Sequence, residues 1–104
     1  MDYPGADTIT IDLANGVNHS ISLNRASTAM ADPIYTGGSI TAGAKANIRL
    51  VEDNPGNRVV VWGSAFLNLP QPTPDGDTWS KIPIIYNGVK WEQDVGLLFG
   101  VPIA

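Results

Sequence analysis

The chain has 104 residues, a net charge of −4 and no cysteine. That length allows one domain with one modest core, and the missing thiols exclude disulfides, thiolate chemistry and cysteine-ligated metals. Its six Lys and Arg are too few and too scattered for the cationic groove that nucleic acid requires.

Charged residues make up 15% of the chain, against about 25% in ordinary globular proteins. Eleven glycines and eight prolines cut the apolar residues into short runs. This punctuation predicts a single all-β domain over 1–104: an antiparallel β-sandwich or small barrel built from hairpins, with at most one short helical turn. The longest apolar stretch, 95–104, is too short to span a bilayer. The opening MDYPGAD lacks the basic and apolar regions of a signal peptide, so the expectation is cytoplasmic synthesis and no membrane span.

Residues 8–13 and 17–23 alternate apolar and polar on either side of Asn15-Gly16. A three-residue loop, Ala14-Asn15-Gly16, keeps Ile9, Ile11 and Leu13 on the same face as Ile21, His19 and Val17, so the pattern predicts a bulged hairpin. Residues 24–32 are small and polar, with an Ala-rich piece suited to one helical turn before Pro33. Ile34 to Thr36 reads as a brief strand, and 39–46 is ambiguous.

A second hairpin is expected from 47–52 and 58–63 around Pro55-Gly56, with Asp53 beside Arg58 and Val51 opposite Val60. Residues 64–69 continue extended. The segment 69–77, with Pro70, Pro72 and Pro74 alternating, reads as a surface loop or arm. Residues 78–86 and 89–93 form a third hairpin around Asn87-Gly88, placing Tyr86 with Val89 and Ile84 with Trp91. The last strand, 95–103, is apolar on both faces.

The chemistry in this chain is sparse. His19 is the only histidine and falls on the apolar face of its strand. That position favours a hydrogen-bonded buried ring over a general base, and one histidine cannot build a His-rich zinc site. Asn18-His19-Ser20 matches a glycosylation pattern that has no consequence without secretion. Asp75-Gly76-Asp77, with Glu92 and Asp94, offers carboxylates for Ca²⁺ or for acid–base work, but Asp-Gly is ordinary turn chemistry and the calcium-loop spacing is absent. There is no phosphate-binding glycine loop and no nucleophile elbow. The chain reads as no enzyme, without cofactor or metal.

What stands out is apolar strand surface. Val95, Leu97, Leu98, Phe99, Val101 and Ile103 crowd the last strand without a charge. Exposed, they would invite edge-to-edge pairing. They imply an obligate assembly in which these residues, with the proline segment and the N-terminal Met1–Ala6 as arms, face other copies or other subunits. The leading expectation is therefore a structural protein of a homo-oligomer or larger particle. A bacteriophage capsid-decoration, head-completion or tail protein, localised to the virion, would meet these constraints. The alternative is a carbohydrate-binding module with a glycan stacked on Trp79 beside Asp75 and Asp77. Trp91 reads as core, and Trp62 as either core or surface.

Overall fold

The computed structural model describes residues 1–103. It holds nine strands: β1 (Asp2–Tyr3), β2 (Thr8–Ile9), β3 (Asn18–Leu23), β4 (Ser27–Met30), β5 (Lys45–Glu52), β6 (Val59–Trp62), β7 (Thr78–Tyr86), β8 (Trp91–Gln93) and β9 (Leu98–Pro102). The helical content among the described residues is one 3₁₀ turn, Leu13–Asn15. The chain is all-β.

The strands form two sheets. The larger has the order β1-β3-β5-β7-β8, with β9 also paired to β7; the smaller has the order β2-β4-β6. Neither closes into a barrel. From β1 to β7 every connection passes from one sheet to the other. The chain therefore winds as a coil, and each return to a sheet lays a strand parallel to the one before. β1, β3 and β5 are mutually parallel, as are β2, β4 and β6. Parallel neighbours need a crossover between them, and here the crossover is a strand of the opposite sheet. Only after β5 does the direction reverse: β7 runs antiparallel to β5, β8 and β9.

This topology corrects the expected antiparallel hairpin meander. The first hairpin does not form. Gly16 (φ +100°) ends a turn that carries the chain across from the small sheet to the large one, and β3 pairs with β1 and β5. The second does not form either, because β5 and β6 lie in different sheets. Val51 pairs with Trp79 and Ser22, while Val60 lies beside Thr28. The expected Asp53–Arg58 pair is present, with Arg58 Nε and Nη2 donating to the two carboxylate oxygens at 2.8 and 3.0 Å. The Ala-rich piece is strand β4, not a helical turn, and Ile34 makes a single bridge to Asp12.

The third hairpin forms with its register moved by two residues. Tyr86 pairs with Trp91, and Asn87 to Lys90 make a four-residue loop. A shift of two preserves facing, so Trp91 and Ile84 share the core side as expected.

Both sheets turn one face to a common core. The large sheet supplies Ile21, Leu23, Ile48, Leu50, Ile82 and Ile84; the small one supplies Ile9, Met30 and Val60. Alternate residues of β3 and β5 are buried and open, as a strand with one covered face requires. The accessible surface, 5380 Å², is near the roughly 5600 Å² expected of a compact monomer of this mass. The body of the fold is complete within one chain, so the surplus of uncovered apolar strand is narrower than composition implies. Exposed apolar side chains occur on β6, at Val59 and Val61, as well as in and around β9, at Val95, Leu98, Phe99 and Ile103.

Candidate functional site

The open face of the large sheet is ordered in rows by the strand registers. One row runs Asp2, Ser20, Arg49, Lys81 across β1, β3, β5 and β7. On one side of it lie Asn18, Asn47 and Pro83, with the Asn47 amide donating to the Asn18 side-chain carbonyl at 2.9 Å. On the other side lie Ser22, Val51, Trp79 and Val101. A cleft of about 320 Å³ opens along the first two rows, lined by Asp2, Asn18, Ser20, Asn47, Arg49 and Lys81. Its size is at the lower end for a small-ligand site.

Trp79 is half-exposed on this face, and the Arg49 guanidinium lies 4.4 Å from its ring centroid. That is a cation–π contact between diagonal neighbours on adjacent strands. One face of the indole is thus taken by the arginine. Trp62 is half-buried on the inner side of β6, packs on Phe66 at 5.0 Å and donates its indole N–H to the Pro70 carbonyl at 3.1 Å. It shares no face with Arg49, which belongs to the other sheet's outer side.

His19 is 1% exposed and has both ring nitrogens engaged. Nε2–H donates to the Gly16 carbonyl at 2.9 Å, while Nδ1 accepts from the Tyr3 hydroxyl at 3.0 Å. The Tyr3 oxygen in turn accepts from the Asp12 backbone N–H at 3.2 Å. Burial pushes the imidazole below its ordinary pKa, and the Gly16 bond opposes this in part. A neutral ring with both nitrogens occupied has no lone pair left for substrate or metal. It serves as a brace between β1, the 3₁₀ turn and β3. Its partners are the Tyr3 hydroxyl and the Gly16 carbonyl.

The acidic residues do not converge. Among the described residues no group of three or more His, Asp or Glu is arranged to hold a metal ion. Asp75 and Asp77 occupy the turn before β7, where the Asp75 carbonyl accepts from the Thr78 hydroxyl at 2.7 Å. This turn packs on the 53–57 loop so tightly that a Cβ on Gly56 would lie 2.5 Å from the Gly76 nitrogen and the Pro74 oxygen. Glu52 was not singled out in the sequence, yet it ends β5 at 1% exposure with neither carboxylate oxygen in a well-formed hydrogen bond. Burial raises its pKa, offset in part by the Arg58 backbone N–H. Its only sequence signal is the period-2 pattern, which places it inward with Ile48 and Leu50.

The apolar C-terminal residues divide. β9 is an edge strand, paired with β7 alone and with a register shift between Trp79 and Lys81. Val95 is 87% exposed, Ile103 52%, Leu98 44% and Phe99 42%. Leu97 and Val101 are half-buried, and Leu97 packs against the core. The proline segment is not a free arm. Pro72 is buried, Pro70 is half-buried and only Pro74 is exposed. Gln71 binds the edge of β6 from both ends of its amide, accepting from Val60 N–H at 2.8 Å and donating to Val60 C=O at 2.6 Å. Met1–Ala6 is likewise held, through β1, to β3. No helix among the described residues is long and apolar enough to cross a membrane.

Comparison with known proteins finds no family model, no curated protein and no solved structure that matches the chain.

Proposed function

We propose that this chain is a non-enzymatic assembly protein whose two sheets form a β-sandwich and whose β9 edge docks onto other copies of itself. The observation that carries this reading is β9. It presents an unpaired backbone edge together with Val95, Leu98, Phe99 and Ile103, all largely exposed and none charged. Edge strands in monomers are usually blunted by charge, proline or a covering loop. β6 has such a cover in Gln71; β9 carries no charged side chain, and has a register shift against β7 and Pro102 at its end. Strand addition at such an edge gives affinity through main-chain hydrogen bonds and specificity through alternate side chains.

Among assembly proteins, a bacteriophage virion component is the class we favour, as a capsid-decoration, head-completion or tail protein. A small, cysteine-free β domain with little reactive chemistry fits a part whose work is done by its surface. Flanking genes for portal, capsid or tail proteins would support that finer assignment.

Light scattering coupled to size-exclusion chromatography tests the assembly itself. The expected mass at micromolar concentration is a multiple of 11.0 kDa, and Phe99→Lys is expected to return the protein to a monomer with unchanged circular dichroism. A wild-type protein that stays monomeric at about 100 μM, where weak specific interfaces are populated, would overturn the reading.

A further inference from the structure

Arg49 and Lys81 stand directly opposite one another in the β5–β7 ladder. Like charges so placed destabilise a sheet, and the arrangement is conspicuous in a chain with six Lys and Arg against ten Asp and Glu. Three of the six cations are paired: Arg25 with Asp7 at 3.3 Å, Lys45 with Asp94 at 3.4 Å and Arg58 with Asp53 at 2.8 Å. Lys90 rests on the Ser64 carbonyl. Among the described residues Arg49 and Lys81 have no carboxylate within ion-pair distance, and both line the cleft of about 320 Å³. Two of the three side-chain cations without a carboxylate partner, Arg49 and Lys81, are thus together in this cleft, which is also lined by Met1, whose ammonium donates to the Asn18 carbonyl at 2.8 Å.

The rest of the cleft suits an anion. Arg49 lies over the Trp79 ring and among the described residues donates no side-chain hydrogen bond to the protein, so the fork is available for a planar or tetrahedral oxyanion. Ser20 adds a hydroxyl in the same row. Asp2 lies two strands from Arg49 along that row, a separation of about 10 Å at the usual strand spacing. An extended polyanion following the row would meet this carboxylate, whereas a compact group between β5 and β7 would not.

We propose that Arg49 and Lys81 bind a compact oxyanion, a phosphate or sulfate group, whose charge offsets their mutual repulsion. This site is independent of β9 and of the assembly reading. The test is a titration of ¹⁵N-labelled protein with sodium phosphate, sodium sulfate and glucose 6-phosphate, each against sodium chloride at matched ionic strength. Saturable shifts are expected around Ser20, Asn47, Arg49 and Lys81, with a Kd of about 1 mM or tighter. Arg49→Gln and Lys81→Gln should each weaken binding about tenfold, Asp2→Asn should tighten it, and Lys90→Gln should leave it unchanged. Tighter binding of glucose 6-phosphate than of phosphate would identify an ester as the ligand, and equal binding the free ion.

A second readout is thermal unfolding. Ligand should raise the wild-type midpoint by mass action but not that of the Arg49→Gln, Lys81→Gln double variant, which loses the like-charge opposition and so remains folded. Shifts that never saturate, that track all six cations alike or that persist in the double variant would overturn the proposal.

Discussion

Asn15-Gly16 and Asn87-Gly88 put the same dipeptide to different use. At 87–90 the Asn87 side-chain oxygen accepts from the backbone N–H of Val89 and of Lys90, each at 2.8 Å, and the chain turns back beside itself in one sheet. At 13–16 the Asn15 side chain has no comparable bond. There Asp12 caps the turn through Ala14 N–H at 2.9 Å and reaches Thr36 on another loop, and His19 ties Gly16 to Tyr3. The backbone donors of the 87–90 turn are satisfied by its own Asn87. The 13–16 turn depends on side chains from β1, β3 and the 34–36 loop, and it sends the chain to the other sheet. A glycine with positive φ, Gly16 at +100° and Gly88 at +99°, is common to both, so the glycine fixes that a turn occurs and leaves its destination open.

The difference is broken most severely at His19. Replacing it with Ala removes a buried ring and strips partners from the Tyr3 hydroxyl and the Gly16 carbonyl, for an expected loss of about 2–4 kcal/mol in urea unfolding. The same residue gives the crossover turn a pH dependence. Its folded pKa lies below the ordinary 6.5, so in the interval between the two values the unfolded chain binds more protons. Stability should therefore fall as pH drops below about 6.5 and through the folded value. His19→Gln, less stable overall, should show a flatter profile in that interval; an equal slope would assign the dependence elsewhere.

Glu52, where the coil of β1–β6 meets β7, sharpens the contrast in the opposite sense. Its folded pKa is raised above 4.5. The stability it contributes is present below pH 4.5 and lost as pH rises through the folded value. Glu52→Gln should then stabilise the protein at pH 7 by about 1 kcal/mol, with the gain vanishing below about pH 4. Unfolding midpoints of the two proteins across pH 3.5–7.5 measure this crossing directly.

The smallest effect separates the two turns most cleanly. Asn87→Ala strands two backbone donors and should cost about 1 kcal/mol. Asn15→Ala should stay within about 0.5 kcal/mol of wild type, as an exposed position without a bonded side chain does. Equal costs would mean that the two turns are closed in the same way after all.

Period-2 alternation is a property of one strand and one covered face, so it could be read locally. It placed His19, Ile21 and Leu23 inward, put Ile84 and Trp91 on one side and identified β7 and β8 as a hairpin, because there the partner is also the nearest neighbour in the chain. It brought Asp53 to Arg58 for the same reason: the four intervening residues, 54–57, hold them together whichever sheet follows. It was silent about partners elsewhere. Ile9 and Ile11 against His19 and Ile21 would satisfy a hairpin and a crossover equally, since both put these side chains into the same core. The Arg49–Lys81 pair was invisible for a related reason. The two residues are far apart in sequence, and only the β5–β7 register sets them side by side.

The sequence by itself therefore determined that this protein is all-β and which side of β3 and of the β7–β8 hairpin faces the core, because these follow from backbone sterics and from short-range burial; it did not mark β1 or β4 as strands, nor the bounds of β2 and β9. The tertiary structure alone decided that successive strands alternate between two sheets, that β9 is left as an open edge while Gln71 closes β6, and that two unpaired cations share a cleft. Those outcomes depend on which of several equally apolar faces meet, and that is settled only when all the strands pack at once.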